Sequence, residues 1–418
     1  MIKDNMVKTS ITKKILISLS AIGPGLFLIG YNIGTGSVTT MAKTGAKHGM
    51  TLFWALLLSC IFTYVLMVSY GKVTLVTGHT ALYNFKKQFK YGWLLSIYII
   101  IALIIGELLA LTGIMGIVSD LIQEGIRLAF DGLIIDTGWI ILFFVIGLYF
   151  LVMYGSYKVF EKVLTALVMV MGLSFLIVFF MVKPSLASLI EGIVPGIPDT
   201  PGALGLIAAI TGTTCSAAVF IMRSSVVAEK GWTIKDLKKE KKDAFVSASM
   251  MLFLSGIIMA VAAGTLNVMG VNLENTVDLI HLFEPIGGEV AAYVLIIGIA
   301  GAGLSSVFPI LLIAPWLVSD YRGTPRDIRS KESRILIILA LLFAFGSVFL
   351  EERPPALMIF SQAFQACILP AVVIPIFVLI NKKHLMEDYR AKNKLNIGLI
   401  AIILFSLITS YFAISEFL

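Results

Sequence analysis

The sequence predicts an all-α polytopic membrane protein: two inverted five-helix repeats and an eleventh helix, with the first and sixth helices unwound at mid-membrane. Three observations predict it. Hydrophobic residues make up 58% of the 418-residue chain and charged residues only 14%, against about 25% in ordinary globular domains, which excludes a soluble enzyme. About eleven apolar runs of roughly 20 residues recur from Ile15 onward, each long enough to cross a bilayer. Two of these runs are interrupted by small polar residues at equivalent places, and the odd number of spans in each repeat gives the two halves opposite topologies.

The spans follow in order. The first runs from Ile15 to Ala42 and breaks at Gly30-Tyr31-Asn32-Ile33-Gly34-Thr35-Gly36-Ser37. Gly34 and Gly36 lack a Cβ, so the backbone there can leave helical geometry. The Thr35 and Ser37 hydroxyls can bond freed carbonyls or a ligand. A half-helix is expected to begin after Ser37, its positive end facing the break. Spans two to five run Thr51 to Val76, Trp93 to Ser119, Trp139 to Tyr154 and Val163 to Val182, which closes a first repeat over residues 15–182.

The Pro- and Gly-richer linker Pro184 to Pro201 then divides the chain. The sixth span, Ala203 to Ala228, breaks at Thr211-Gly212-Thr213-Thr214-Cys215-Ser216. Spans seven to ten run Ala244 to Val268, Val290 to Ser319, Ile335 to Leu350 and Ala356 to Ile380, giving a second, inverted repeat over residues 203–380. Leu395 to Ile414 is the eleventh span, residues 395–414, and the whole chain, 1–418, reads as a single transmembrane domain.

The net charge of +7 is no nucleic-acid footprint. Roughly 26 of the 32 Lys and Arg fall in alternate loops and the N-terminal segment, which the positive-inside rule makes cytoplasmic. The N-terminus is then inside and the C-terminus outside, in a bacterial-type cell membrane. The expected partners are the lipid bilayer and a transported solute, with no cofactor and no nucleic acid. Cys60, Cys215 and Cys367 sit in apolar segments and suggest no disulfide framework. The sequence contains no Walker-type phosphate loop, so ATP-driven transport by this chain alone is not expected.

Unwound backbone inside a bilayer is costly unless it lines a protected cavity, and a matched pair of breaks marks a transporter's substrate site. Neither break carries an acidic residue, a His or a Met. Glu107 lies mid-span in Ile104-Ile105-Gly106-Glu107-Leu108, a candidate proton or cation relay because a membrane carboxylate is expensive to keep. Arg223, near the inner part of span six, is a candidate charge gate that either pairs with a carboxylate or, the favoured reading, snorkels to the interface. Gln362 offers an amide either to the cavity or to a neighbouring helix. His48, His79, His281 and His384 have no metal-site spacing.

At these residues the chain resembles the NRAMP family of metal-ion transporters, as an NRAMP-related member lacking the usual metal-site residues. The resemblance rests on Gly23-Pro24-Gly25, Thr44-Gly45-Ala46-Lys47-His48-Gly49, Val76-Thr77-Gly78, Ser224-Ser225, Ser361-Gln362 and Leu369-Pro370. It implies the LeuT-like fold of five plus five helices, here with one more, and transport of a divalent metal ion by alternating access. In the first break the family's Asp-Pro-Gly-Asn falls on Gly34-Thr35-Gly36-Ser37. In the sixth span Met-Pro-His falls on Ser216-Ala217-Ala218, and a second family His falls on Arg223. Of the family's acidic pair in span three only Glu107 remains, with Ile104 at the other position, while Gln362 is retained.

The expected substrate site therefore comprises Gly34, Ser37, Thr213, Ser216 and Gln362, with no metal ligand set assigned. Loss of the thioether weakens the expected selectivity for soft transition metals. Loss of the His residues removes much of the proton route. Three readings stand open: a divalent metal ion, partly hydrated and weakly selected; a small organic, amino-acid-like solute, whose carboxylate would suit free amides at a half-helix N-terminus; and a non-transporting sensor or interaction protein.

Overall fold

The computed structural model describes residues 34–130, 132–154, 166, 169, 172–173, 175–281, 284–349 and 354–417, and among these there is no strand. The principal helices are α1 (Thr35–His48), α2 (Phe53–Thr77), α3 (Ala81–Gln88), α4 (Gly92–Ala129), α5 (Thr137–Tyr154), α6 (Ala203–Thr214) and α7 (Ala217–Glu229). They continue as α8 (Leu237–Gly264), α9 (Glu284–Arg322), α10 (Lys331–Phe345), α11 (Pro354–Asn381) and α12 (Asn393–Phe417). Nine candidate membrane spans lie among the described residues, α6 and α7 counting together as one. The first part of the first span, with Gly23-Pro24-Gly25 and Gly30 to Ile33, and much of the fifth span between 163 and 174 lie outside the described residues.

Among the described residues the helices follow the apolar runs, with three differences. First, α1 begins at Thr35, so Thr35, Gly36 and Ser37 form its first turn and only Gly34 caps it. The expected start after Ser37 is corrected: a Gly in extended geometry stops the helix, whereas Thr and Ser are compatible with its first turn. Second, α4 runs on to Ala129 with Asp120, Glu124 and Arg127 inside it, because a helix does not end where its apolar stretch ends. Third, α8 starts at Leu237, so the Lys-rich stretch before Ala244 is helical, and Glu240 and Asp243 are buried on it.

Exposure separates the bundle's centre from its rim. In the most apolar window of α6–α7, 94% of residues are buried, against 28% for each of α5, α10 and α12. The exposed side chains of the outer helices are large and apolar, such as Phe143, Phe150, Leu342 and Leu404, the surface expected where lipid replaces water. At the centre, small residues bring helices together, as in other membrane bundles. A Cβ on Gly212 of α6 would overlap the backbone oxygen of Gln362 on α11.

Candidate functional site

The sixth span is broken where the polar run lies. Helix α6 ends at Thr214, Cys215 and Ser216 leave helical geometry, and α7 restarts at Ala217. The Thr63 hydroxyl of α2 donates to the Thr214 carbonyl at 2.9 Å, and the Cys215 amide donates to Thr211 O at 2.7 Å. The first bond ties the break to α2, and the second closes the last turn of α6. In the first span, Gly34 caps α1 without a side-chain bond, and the Ser37 hydroxyl lies 3.1 Å from that of Ser255 on α8.

Between the start of α1 and the break in the sixth span lies a cavity of about 30 Å³, lined by residues of α1, α4, α6, α9 and α11 and by Gly34 and Ser216. A water needs roughly 10–15 Å³ of such space, so the cavity is the size of an ion with a water or two. Every expected substrate-site residue reaches it: Gly34, Ser37, Thr213, Ser216 and Gln362. Glu107 reaches it too, projecting from α4 with 5% of its surface exposed.

Helix α11 presents one face to this space. Met358, Gln362 and Gln365 stand at i, i+4 and i+7, and all three line it. The Gln365 Nε2 donates to Glu107 Oε1 at 2.6 Å. That bond fixes the amide's orientation and leaves Gln365 Oε1 buried and without a hydrogen-bond partner among the described residues. Sequence reasoning found Gln362 and missed Met358, Gln365 and Ser306. The helical spacing from Gln362 was the available signal for the first two; for Ser306, inside an apolar run, there was none.

The lining is oxygen-rich, with one carboxylate. Hydroxyls come from Ser37, Thr213, Ser216 and Ser306, and amide oxygens from Gln362 and Gln365. The described residues hold no group of three or more His, Cys, Asp or Glu suited to a metal ion. Cys215 is fully buried and is not among the lining residues. Gly34 leaves no room for a side chain, because a Cβ there would overlap Ser306 Oγ.

Arg223 is elsewhere. It does not line the cavity and does not snorkel: the side chain is fully buried and ion-paired. Its Nε and one terminal nitrogen donate to Glu240 at 3.0 and 2.8 Å, and the other terminal nitrogen pairs with Asp243. The favoured snorkelling is corrected because two carboxylates on the first turns of α8 reach the guanidinium inside the bundle. A Cβ on Gly71 of α2 would overlap Glu240 Oε1, so the cluster is packed from that side as well.

A second set of ties joins the basic end of the bundle. Ser224 accepts from the Ala81 amide at 2.9 Å, which anchors α3. Ser225 donates to Asp320 on α9, and Arg326 grips Asp320 at 3.0 and 3.1 Å and reaches Glu229 at 3.0 Å. Towards the opposite end lies a larger polar cavity of about 320 Å³, lined by Thr112, Ser119, Asp120, Asn275 and Thr276 among others.

A buried polar cavity between the start of α1 and the broken sixth span, inside a multi-pass apolar bundle, defines a LeuT-like integral membrane protein. The sequence matches the family described as Natural resistance-associated macrophage protein-like (Nramp) over residues 25–416, and the chain belongs to that family. It is 26% identical to the divalent metal cation transporter MntH of Staphylococcus saprophyticus, over 95% of this chain and 92% of that protein. It is 25% identical to MntH of Staphylococcus aureus strain MRSA252, over 96% of this chain and 92% of the relative. The fold is similar to the crystal structure of the Eremococcus coleocola manganese transporter in complex with an aromatic bis-isothiourea substituted compound. The TM-score is 0.70 at 16% identity, over 99% of this chain and 90% of that one. It is similar as well to Mhp1, a nucleobase-cation-symport-1 family transporter, in a closed conformation with bromovinylhydantoin bound. That TM-score is 0.62 at 14% identity, over 95% and 93% of the two chains.

Proposed function

We propose that the chain is a secondary transporter of a small divalent cation, carried partly hydrated through the Glu107 cavity by alternating access. The observation that carries the reading is the presence of the Glu107 carboxylate among hydroxyl and amide oxygens in a space the size of an ion with a water or two. Charge decides the sign. The cavity meets the N-termini of α1 and α7 and the C-terminus of α6. At about half a unit charge per helix end, these three described ends largely offset one another. An ionised Glu107 brings a full negative charge, more than any single helix end, so cation binding depends on this one carboxylate.

A set of oxygen donors with one carboxylate and retained water suits Mg²⁺ or Mn²⁺. Room for an ion with a water or two favours a cation over an amino-acid-like solute. Residues 15–182 and 203–380 act as the two repeats that rock against each other, with the N-terminus cytoplasmic on the positive-inside pattern. Transport, not catalysis, is the activity. Arg223 acts as a structural counter-charge.

The test is Mn²⁺ and Mg²⁺ uptake into proteoliposomes by the wild type, Glu107→Gln, Ser37→Ala and Ser216→Ala. Wild-type uptake that falls at least tenfold in Glu107→Gln, with weaker apparent affinity in the Ser variants, is expected. Uptake that survives Glu107→Gln unchanged refutes the proposed site.

A further inference from the structure

The cavity holds one donor that the oxygen account does not use. Among its described lining residues, Met358 alone carries sulfur. Its side chain is 1% exposed, and two glycines on two other helices leave the room it fills. A Cβ on Gly113 of α4 would stand 3.2 Å from Met358 Sδ, and a Cβ on Gly36 of α1 would stand 3.2 Å from its Cε. Either substitution would crowd the thioether. The Ser361 hydroxyl lies 3.7 Å from Sδ while it donates to the Met358 carbonyl at 2.8 Å.

Met358 shares its helix face with Gln362 and Gln365, whose amides line the same space. An unbranched thioether with several rotatable bonds can turn its sulfur towards a bound ion without backbone movement. Thioether sulfur is a soft donor, which favours soft cations and gives nothing to hard ones such as Mg²⁺.

We propose that Met358 is a specificity-determining ligand of this site, whose thioether binds soft divalent cations and sets their preference over Mg²⁺. This rests on the cation reading above. The experiment is competition by Cd²⁺ and by Mg²⁺ against Mn²⁺ uptake in proteoliposomes, for the wild type and Met358→Leu, which keeps the volume and removes the sulfur. The concentration of Cd²⁺ giving half inhibition should rise at least tenfold in the variant, while that of Mg²⁺ moves less than twofold. Cd²⁺ and Mg²⁺ shifting together, or neither shifting, would assign Met358 to packing and overturn the proposal while leaving the cation site intact. A wild type that takes up no Mn²⁺ would overturn both. A second measurement needs no variant. In selenomethionine-labelled wild-type protein loaded with Cd²⁺, X-ray absorption should contain a cadmium–selenium shell, and its absence would also overturn the assignment.

Discussion

The buried Arg223 cluster gives the sharpest test of how the bundle holds its charges. Arg223, Glu240 and Asp243 have side chains exposed by 0%, 0% and 3%, so each charge depends on the others for the solvation it has lost. Arg223→Met leaves two carboxylates buried three residues apart on α8 with no cation between them. Removing one partner from a buried pair costs about 3–5 kcal/mol, and with two carboxylates stranded the loss should fall at the upper end, about 5 kcal/mol. The triple variant Arg223→Met, Glu240→Gln, Asp243→Asn removes every charge and keeps the shapes, so most of that loss should return. Denaturant titration of the purified proteins in detergent micelles measures both. A single variant as stable as wild type, or a triple variant no better than the single, would refute the argument that these three charges compensate one another.

Other substitutions test the breaks and the basic end. Thr63→Val keeps the side chain's shape but leaves the Thr214 carbonyl without its donor. It should cost about 1–3 kcal/mol in the same titration, and no loss would mean that the bond does not hold the break. Gly34→Ala should abolish Mn²⁺ uptake by overlap with Ser306, and adding Ser306→Gly should restore it; full uptake by the single variant would contradict the packing. Asp320→Asn weakens the grip of Arg326 and Ser225 on α9. A cysteine placed at Ser224 in that background should react faster with a water-soluble maleimide, and an unchanged rate would show that the ties do not close that end.

Much of this architecture was legible in the residues. Composition and run length gave the multi-pass class, and the Thr/Gly/Ser interruption located the break in the sixth span, because small and hydroxyl-bearing residues are what unwound backbone in a membrane requires. The convergence of Glu107 on those breaks was not legible, since it depends on how α4 packs against α11, 258 residues away in sequence. Gln365 and Met358 were readable only from helical spacing once Gln362 had been fixed to the cavity. Arg223 was misread because its carboxylate partners sit in Lys238-Lys239-Glu240-Lys241-Lys242-Asp243, whose charge pattern imitates a solvated loop while Glu240 and Asp243 turn inward.

The central claim is that one carboxylate makes this cavity a cation site. Equilibrium binding of Mn²⁺ to the purified protein tests it most directly, with Glu107→Gln beside Asp120→Asn, the carboxylate of the larger polar cavity. The account predicts one site per chain in the wild type, kept in Asp120→Asn and lost in Glu107→Gln. Binding that survives Glu107→Gln, or is lost instead with Asp120→Asn, would contradict it.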